Sequence, residues 1–139
     1  MKIIKDKPPN YELIKLTLSP PEHAIYCYGN KIYNPSGKEL TPDLEYHESI
    51  HSKQQGNNPD LWYNKYLTDK DFRLEQELEA YGEQYLFIKK HISNNKLRKW
   101  SLEKMAEALS NYYKLNIPYQ IAESKIRNYG KNIKRRYAI

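Results

Sequence analysis

The sequence predicts an α+β domain that is mainly helical, with a small N-terminal antiparallel β element followed by about five helices. Three observations carry this expectation. β-favouring runs and turn dipeptides fill the first forty residues. From Thr41 onward, capping residues and apolar positions at helical spacing take over. The chain has 139 residues, the size of one domain and too short for a two-domain enzyme or a complete Rossmann or TIM architecture. One domain is expected over residues 1–139, with a basic helix or tail over 120–139 inside it.

The elements follow in order. Leu13-Ile14-Lys15-Leu16-Thr17-Leu18 is β-favouring and partly alternating, and reads as a strand stopped by Ser19-Pro20-Pro21. Ala24–Tyr28 and Lys31–Tyr33 flank Gly29-Asn30, which predicts a hairpin with a type II′ turn. Asn34-Pro35-Ser36-Gly37 closes that region as a turn. Thr41 is placed to cap, Pro42 suits the first helical position, and Gly56 is a stop, so a helix is expected from Pro42 to Gln55. A short aromatic helix follows from Pro59 to Leu67. Thr68 and Asp71 resemble a capping box at the head of a long helix from Asp69 to His91. After a break at Asn94-Asn95, Ser101 caps a helix carrying Leu102, Met105, Ala106, Leu109 and Tyr113. A last helix starts near Pro118 and carries Ile121, Ala122, Ile126 and Tyr129.

Composition excludes several classes. Hydrophobic residues make up 39% and charged residues 29%, a soluble globular balance. There are 14 Tyr, whose apolar ring and polar tip suit a small core close to its own surface. No apolar run reaches the roughly eighteen residues that suggest a membrane span, so no membrane is expected among the partners. The basic start, Met1 to Lys7, lacks the apolar stretch of a secretory signal. Cys27 is the only cysteine, which excludes an internal disulfide and a Cys-rich zinc site; a free thiol in a reducing cytosol is expected, ahead of an intermolecular bridge. The net charge of +6 is concentrated late, where Lys125, Arg127, Lys131, Lys134, Arg135 and Arg136 face only Glu123. Such a tail can contact nucleic acid or an acidic partner, but one short cluster favours a solvated helix end, where cations suit the helix dipole.

The chemistry-bearing residues are His47-Glu48-Ser49-Ile50-His51, an H-E-x-x-H inside the expected 42–55 helix. Residues four apart lie one turn above each other, so both imidazoles can reach one cation. Glu48 is rotated from His47 by about 100°, beside that cation without having to bind it. There it can act as general base and acid on a zinc-activated water. The bland alternative is two histidines bonded to Tyr or backbone groups on a half-buried helix.

A third ligand is needed. His23 and His91 lie in a turn and at a helix end, so the carboxylates of Glu75-Gln76-Glu77-Leu78-Glu79 are better placed. Leu74, Leu78, Tyr81, Tyr85 and Ile88 form an apolar stripe. Glu77 lies about 60° from its centre, against about 100° for Glu75 and about 140° for Glu79. A carboxylate beside a buried stripe needs a metal or a partner such as Arg73, four residues earlier. Glu75 is the reserve, while Glu79 and Glu83 read as solvated acids. Trp62, Tyr63 and Tyr66 read as core in preference to a stacking platform.

His47-Glu48-Ser49-Ile50-His51 with Glu77-Leu78-Glu79-Ala80-Tyr81 resembles the zincin metallopeptidases of gluzincin type, most of all their minimal single-domain members in bacteria and phages. The resemblance covers roughly residues 24–88. It implies zinc held by His47, His51 and Glu77, with Glu48 as general base and acid. Gln54 is similar to the last position of H-E-x-x-H-x-x-Q members. Many relatives carry an Asp where this chain has Tyr81, and that Asp supports a ligand histidine. Tyr81 is a candidate for the same support or for holding the oxyanion, with Tyr85 and Tyr33 as others. The resemblance also implies an edge strand before the motif helix, against which an extended peptide can lie, and the Ala24–Tyr33 hairpin stands in that place.

The function expected is therefore a zinc-dependent hydrolase of peptide bonds, acting on a peptide or protein in the cytoplasm. The rival is a non-catalytic zinc-binding structural or interaction protein on the same fold, for example a phage virion or assembly component with a protein partner. The two later helices are expected to be scaffold.

Overall fold

The computed structural model describes residues 1–131 and 134–137. Three strands, β1 (Lys2–Ile4), β2 (Tyr26–Tyr28) and β3 (Lys31–Tyr33), form a sheet in the order β1-β3-β2. Six helices follow or interleave: α1 (Tyr11–Leu18), α2 (Pro42–Gln55), α3 (Pro59–Thr68), α4 (Lys70–His91), α5 (Asn95–Asn111) and α6 (Tyr119–Arg127). The α+β class is as expected, with one helix more than expected and a sheet that is mixed. β2 and β3 are antiparallel with Cys27 opposite Ile32, but β1 joins β3 in parallel. With three residues, β1 is too short to carry a readable pattern.

The extra helix is α1, where alternation suggested a strand. Burial selects Ile14 and Leu18, four apart, and leaves Leu13 at 52% and Leu16 at 82% exposure. That is one helical face, which the run of leucines disguises. The hairpin turn has a positive φ at Gly29 and none at Asn30, as type II′ requires.

α2 has the expected bounds. Pro42 starts it and Gly56, at φ +60°, ends it, although the Thr41 side chain makes no capping bond. Three other caps differ from expectation. Asn58 caps α3 through Leu61 N–H. Asp69 itself caps α4 by accepting from Phe72 N–H at 3.1 Å, and so replaces the Thr68–Asp71 box. Asn94 accepts from the N–H groups of Lys96 and Leu97, so α5 starts well before Ser101, which lies inside it. Each of these side chains satisfies orphan N–H groups of a first turn.

Two apolar clusters hold these elements. One joins α4, α5 and α6 through Ile88, Leu102, Met105, Leu109, Ala122 and Ile126, with the predicted α4 stripe packed on it. The other joins α1 and α3 through Ile14, Leu18, Trp62, Tyr63, Tyr66 and Leu67. α2 lies along α4 and buries mostly polar residues, His47, Glu48, His51 and Gln55, around Ile50. Among the described residues no helix is long and apolar enough to cross a membrane. Cys27 is buried and unpaired.

Candidate metal centre

Helical spacing stacks His47 and His51 on one face of α2, with ring centroids 4.9 Å apart. α4 brings Glu77 against both. His47 Nε2 lies 3.4 Å from Glu77 Oε1, and His51 Nε2 lies 3.2 Å from Glu77 Oε2. One ligating atom from each of the three residues falls within 4.8 Å of the other two, and all three residues are at most 5% exposed. A charge-assisted N–H···O bond is shorter, about 2.7–2.9 Å. Two atoms each about 2.05 Å from a tetrahedral zinc stand about 3.3 Å apart. The two His–Glu separations therefore match ligands spaced for a metal better than they match ion pairs.

The network behind the rings assigns their tautomers. The Gln84 amide donates to Asp43 Oδ2 at 2.8 Å, so its carbonyl oxygen faces His47 Nδ1 at 2.9 Å. The Gln54 amide donates to Gln76 O and to Glu79 Oε1, both at 3.0 Å, so its carbonyl oxygen faces His51 Nδ1 at 2.7 Å. Each amide oxygen can only accept, so each Nδ1 carries a proton and each Nε2, the ring atom left for a metal, faces Glu77. Outer partners of this kind orient metal-binding imidazoles and raise their basicity. Here carboxamides do this, each anchored by a carboxylate. Position 81 supplies no such bond: the partners of the two Nδ1 atoms are the neutral amides of Gln84 and Gln54.

Tyr66 adds a contact that the sequence reading missed. It belongs to the α3 core as expected, yet its hydroxyl donates to Glu77 Oε2 at 2.5 Å. Burial opposes a charge on Glu77, but His51 and His47 hold its carboxyl well below the usual range. Burial likewise opposes a charge on His51, but Glu77 raises it to about 9. The centre favours one positive charge beside this carboxylate, whether a proton or a metal. Glu48 is the opposite case: burial pushes its carboxyl up, against the pull of His47 and His51. Among the described residues no hydrogen-bond donor reaches the Glu48 carboxylate, and His47 Nε2 lies 3.6 Å from it.

Several candidates fall away. Arg73 donates to the carbonyls of Tyr66 and Tyr113, not to Glu77. Glu75 is exposed. Glu79 and Glu83 are not solvated: Glu83 is fully buried and bonded by Arg135, Tyr129 and Tyr46, while Glu79 receives Gln54, Arg136 and Tyr137. The Tyr81 ring packs 4.4 Å from that of His47, and its hydroxyl shares a 2.6 Å bond with Tyr113. Tyr81 and Tyr113 line the cleft over the centre, whereas Tyr33 and Tyr85 lie outside its lining.

That cleft is about 600 Å³. His47, Glu48, His51 and Glu77 form its floor, with Ala24 to Cys27 on one wall and Leu97, Trp100 and Lys104 of α5 on another. α5 is therefore a cleft wall as well as scaffold. β2 is a sheet edge, as expected, but the Cys27 carbonyl already accepts from Gln55 at 2.8 Å and from the Tyr63 hydroxyl at 2.7 Å.

No family model, curated protein or solved structure matches the chain.

The donor set itself fits a divalent metal. His47, His51 and Glu77 would hold it, and two imidazoles that shed their Nε2 protons together with one carboxylate are a donor set that suits zinc.

Proposed function

We propose that this protein is a zinc-dependent metallopeptidase in which His47, His51 and Glu77 hold the metal and Glu48 is general base and acid. One observation carries the reading: two imidazole Nε2 atoms and a carboxylate converge at metal-ligand spacing beside a buried Glu48 whose nearest polar partner among the described residues is His47 Nε2 at 3.6 Å. A purely structural site has no use for that fourth group. When bound, zinc supplies Lewis acidity to a carbonyl and to water at its open position.

The chain's own residues do the rest. Glu48 accepts a proton from the attacking water while the water oxygen bonds to the peptide carbonyl carbon. The C–N bond then breaks, and Glu48 returns that proton to the leaving nitrogen. Its raised pKa suits both halves of this exchange. Gln84 and Gln54 keep the ligand rings in the required tautomers. Tyr81 and Tyr113 have two O–H groups and one mutual bond, so one proton is left to donate to the carbonyl oxygen as it gains charge. The substrate is a peptide or protein segment laid in the cleft, and a reducing cytoplasm suits the free, buried Cys27. Nucleic acid is a poor rival partner, because Arg127, Arg135 and Arg136 are engaged by Glu123, Glu83 and Glu79.

The test is zinc content and hydrolysis of a mixed fluorogenic peptide library, in wild type and Glu48→Gln. Both should hold one zinc, and the variant should lose at least about a hundredfold in rate. Equal zinc in both proteins with no turnover by wild type would leave the non-catalytic alternative, a zinc-binding structural or assembly protein. No zinc in wild type would end both.

A further inference from the structure

Tyr129, Arg135, Arg136 and Tyr137 have a built seat on the two ligand-bearing helices. Tyr129 lies across Gly82 of α4. A Cβ at that glycine would stand 2.2 Å from the tyrosine ring, so only glycine admits it there. The Tyr129 hydroxyl then donates to Glu83 Oε2 at 2.8 Å. Arg135 forks onto the same carboxylate through Nε at 2.8 Å and Nη2 at 2.5 Å. One turn earlier on α4, Glu79 accepts from Arg136 Nη2 and from the Tyr137 hydroxyl, each at 2.8 Å. The Tyr137 ring also receives the Lys53 ammonium of α2, 5.3 Å from its centroid. Together these residues touch both α2 and α4.

Glu79 does not stop at the tail. The oxygen that meets Arg136 and Tyr137 is also the acceptor for Gln54 Nε2, and Gln54 holds His51 Nδ1. A continuous path runs from Arg136 and Tyr137 through Glu79 and Gln54 to a metal-ligand ring. An amide can present either end to a histidine. The Gln76 carbonyl and the Glu79 carboxylate, which only accept, together fix the NH2 end outward, and of the two only Glu79 is held by the tail. The tail's two donors in turn hold that carboxylate in place on a half-exposed surface.

We propose that Arg136 and Tyr137 are positioning residues for the metal centre, acting through Glu79 and Gln54 on His51, so that the tail is a strap that sets metal affinity. This rests on the reading of His47, His51 and Glu77 as ligands. The basic tail then serves an internal role, set by α4 acids that the sequence shows as exposed.

The test is zinc affinity of the full chain by competition with a chromophoric chelator. Glu79→Ala should weaken zinc about tenfold, the low end for loss of an outer partner of a ligand histidine. Glu79→Gln retains an acceptor oxygen and should recover part of that loss. The exposed double variant Arg136→Ala/Tyr137→Phe should weaken zinc by at least about threefold. Its metal-free urea midpoint should match that of Arg127→Ala, which removes an ion pair with no path to the centre. Wild-type affinity in both Glu79→Ala and the double variant would overturn the proposal. Loss of zinc in Arg127→Ala to the same degree would also overturn it, by showing a merely global effect. Absence of zinc binding in wild type would instead refute the metal centre itself.

Discussion

Helix α4 buries two carboxylates six residues apart, and their surroundings differ in kind. Glu83 is 0% exposed and meets a permanent cation, Arg135, with two tyrosine hydroxyls completing its bonds. Glu77 is 3% exposed and meets no arginine or lysine. It faces two imidazoles, through their Nε2 atoms, and one tyrosine hydroxyl. Burying an ionised carboxylate without a partner is costly, so both must be answered. A guanidinium answers Glu83 for good and closes that site. At Glu77 the partners are themselves donors to a metal, so the charge there remains to be met by something that can be exchanged. One helix therefore carries a finished structural ion pair and a cluster of three side chains that could hold a cation.

The largest expected effect removes the exchangeable cation. Glu77→Ala should abolish zinc retention after dialysis, and EDTA treatment of wild type should lower its melting temperature, since metal that binds only the folded chain stabilises it. Calorimetry with and without chelator checks this; an unchanged melting temperature would place Glu77 with Glu83 as structural. Next comes the finished pair. Arg135→Ala leaves Glu83 buried with tyrosines alone and should destabilise by about 2–3 kcal/mol, below the full value for a buried pair because Arg135 is 27% exposed. Urea denaturation measures it, zinc content should persist, and Glu83→Gln in the same chain should recover part of the loss. A smaller effect tests the tautomer lock: Gln84→Ala should weaken zinc by about tenfold to a hundredfold while leaving the helix content unchanged. The smallest is Arg127→Ala, an exposed pair on α6, which should leave both the urea midpoint and the zinc affinity where they were.

Much of the site was legible because it is local. The bounds of α2 follow from Pro42 and Gly56, and the pairing of His47 with His51 follows from helix geometry alone. Glu77 could be ranked above Glu75 and Glu79 by its angle to the apolar stripe. Gln84 was within reach of the same argument, seven residues after Glu77 and so on the same face, but a glutamine gives no signal until a histidine stands opposite it. Tyr66 was read correctly as core, and its hydroxyl contact to Glu77 depends on how α3 meets α4. The misreadings share one cause. Glu79 and Glu83 lie away from the stripe, which marks them as solvated only if nothing folds over that side; Tyr129, Arg135, Arg136 and Tyr137 do. α1 was lost to a run of leucines whose alternation and helical spacing overlap, a tie that burial of Ile14 and Leu18 breaks.

Residue order alone thus settles the α+β class, the helix that carries the two histidines, and the presence of a glutamate beside them. All three depend on spacings within one turn of backbone, where geometry is intrinsic. The approach of Glu77, the tautomers imposed by Gln84 and Gln54, and the folding back of the basic tail belong to tertiary packing. Each requires groups from different elements to meet at hydrogen-bond distance, and only the burial of the apolar faces of α3, α4, α5 and α6 brings them there.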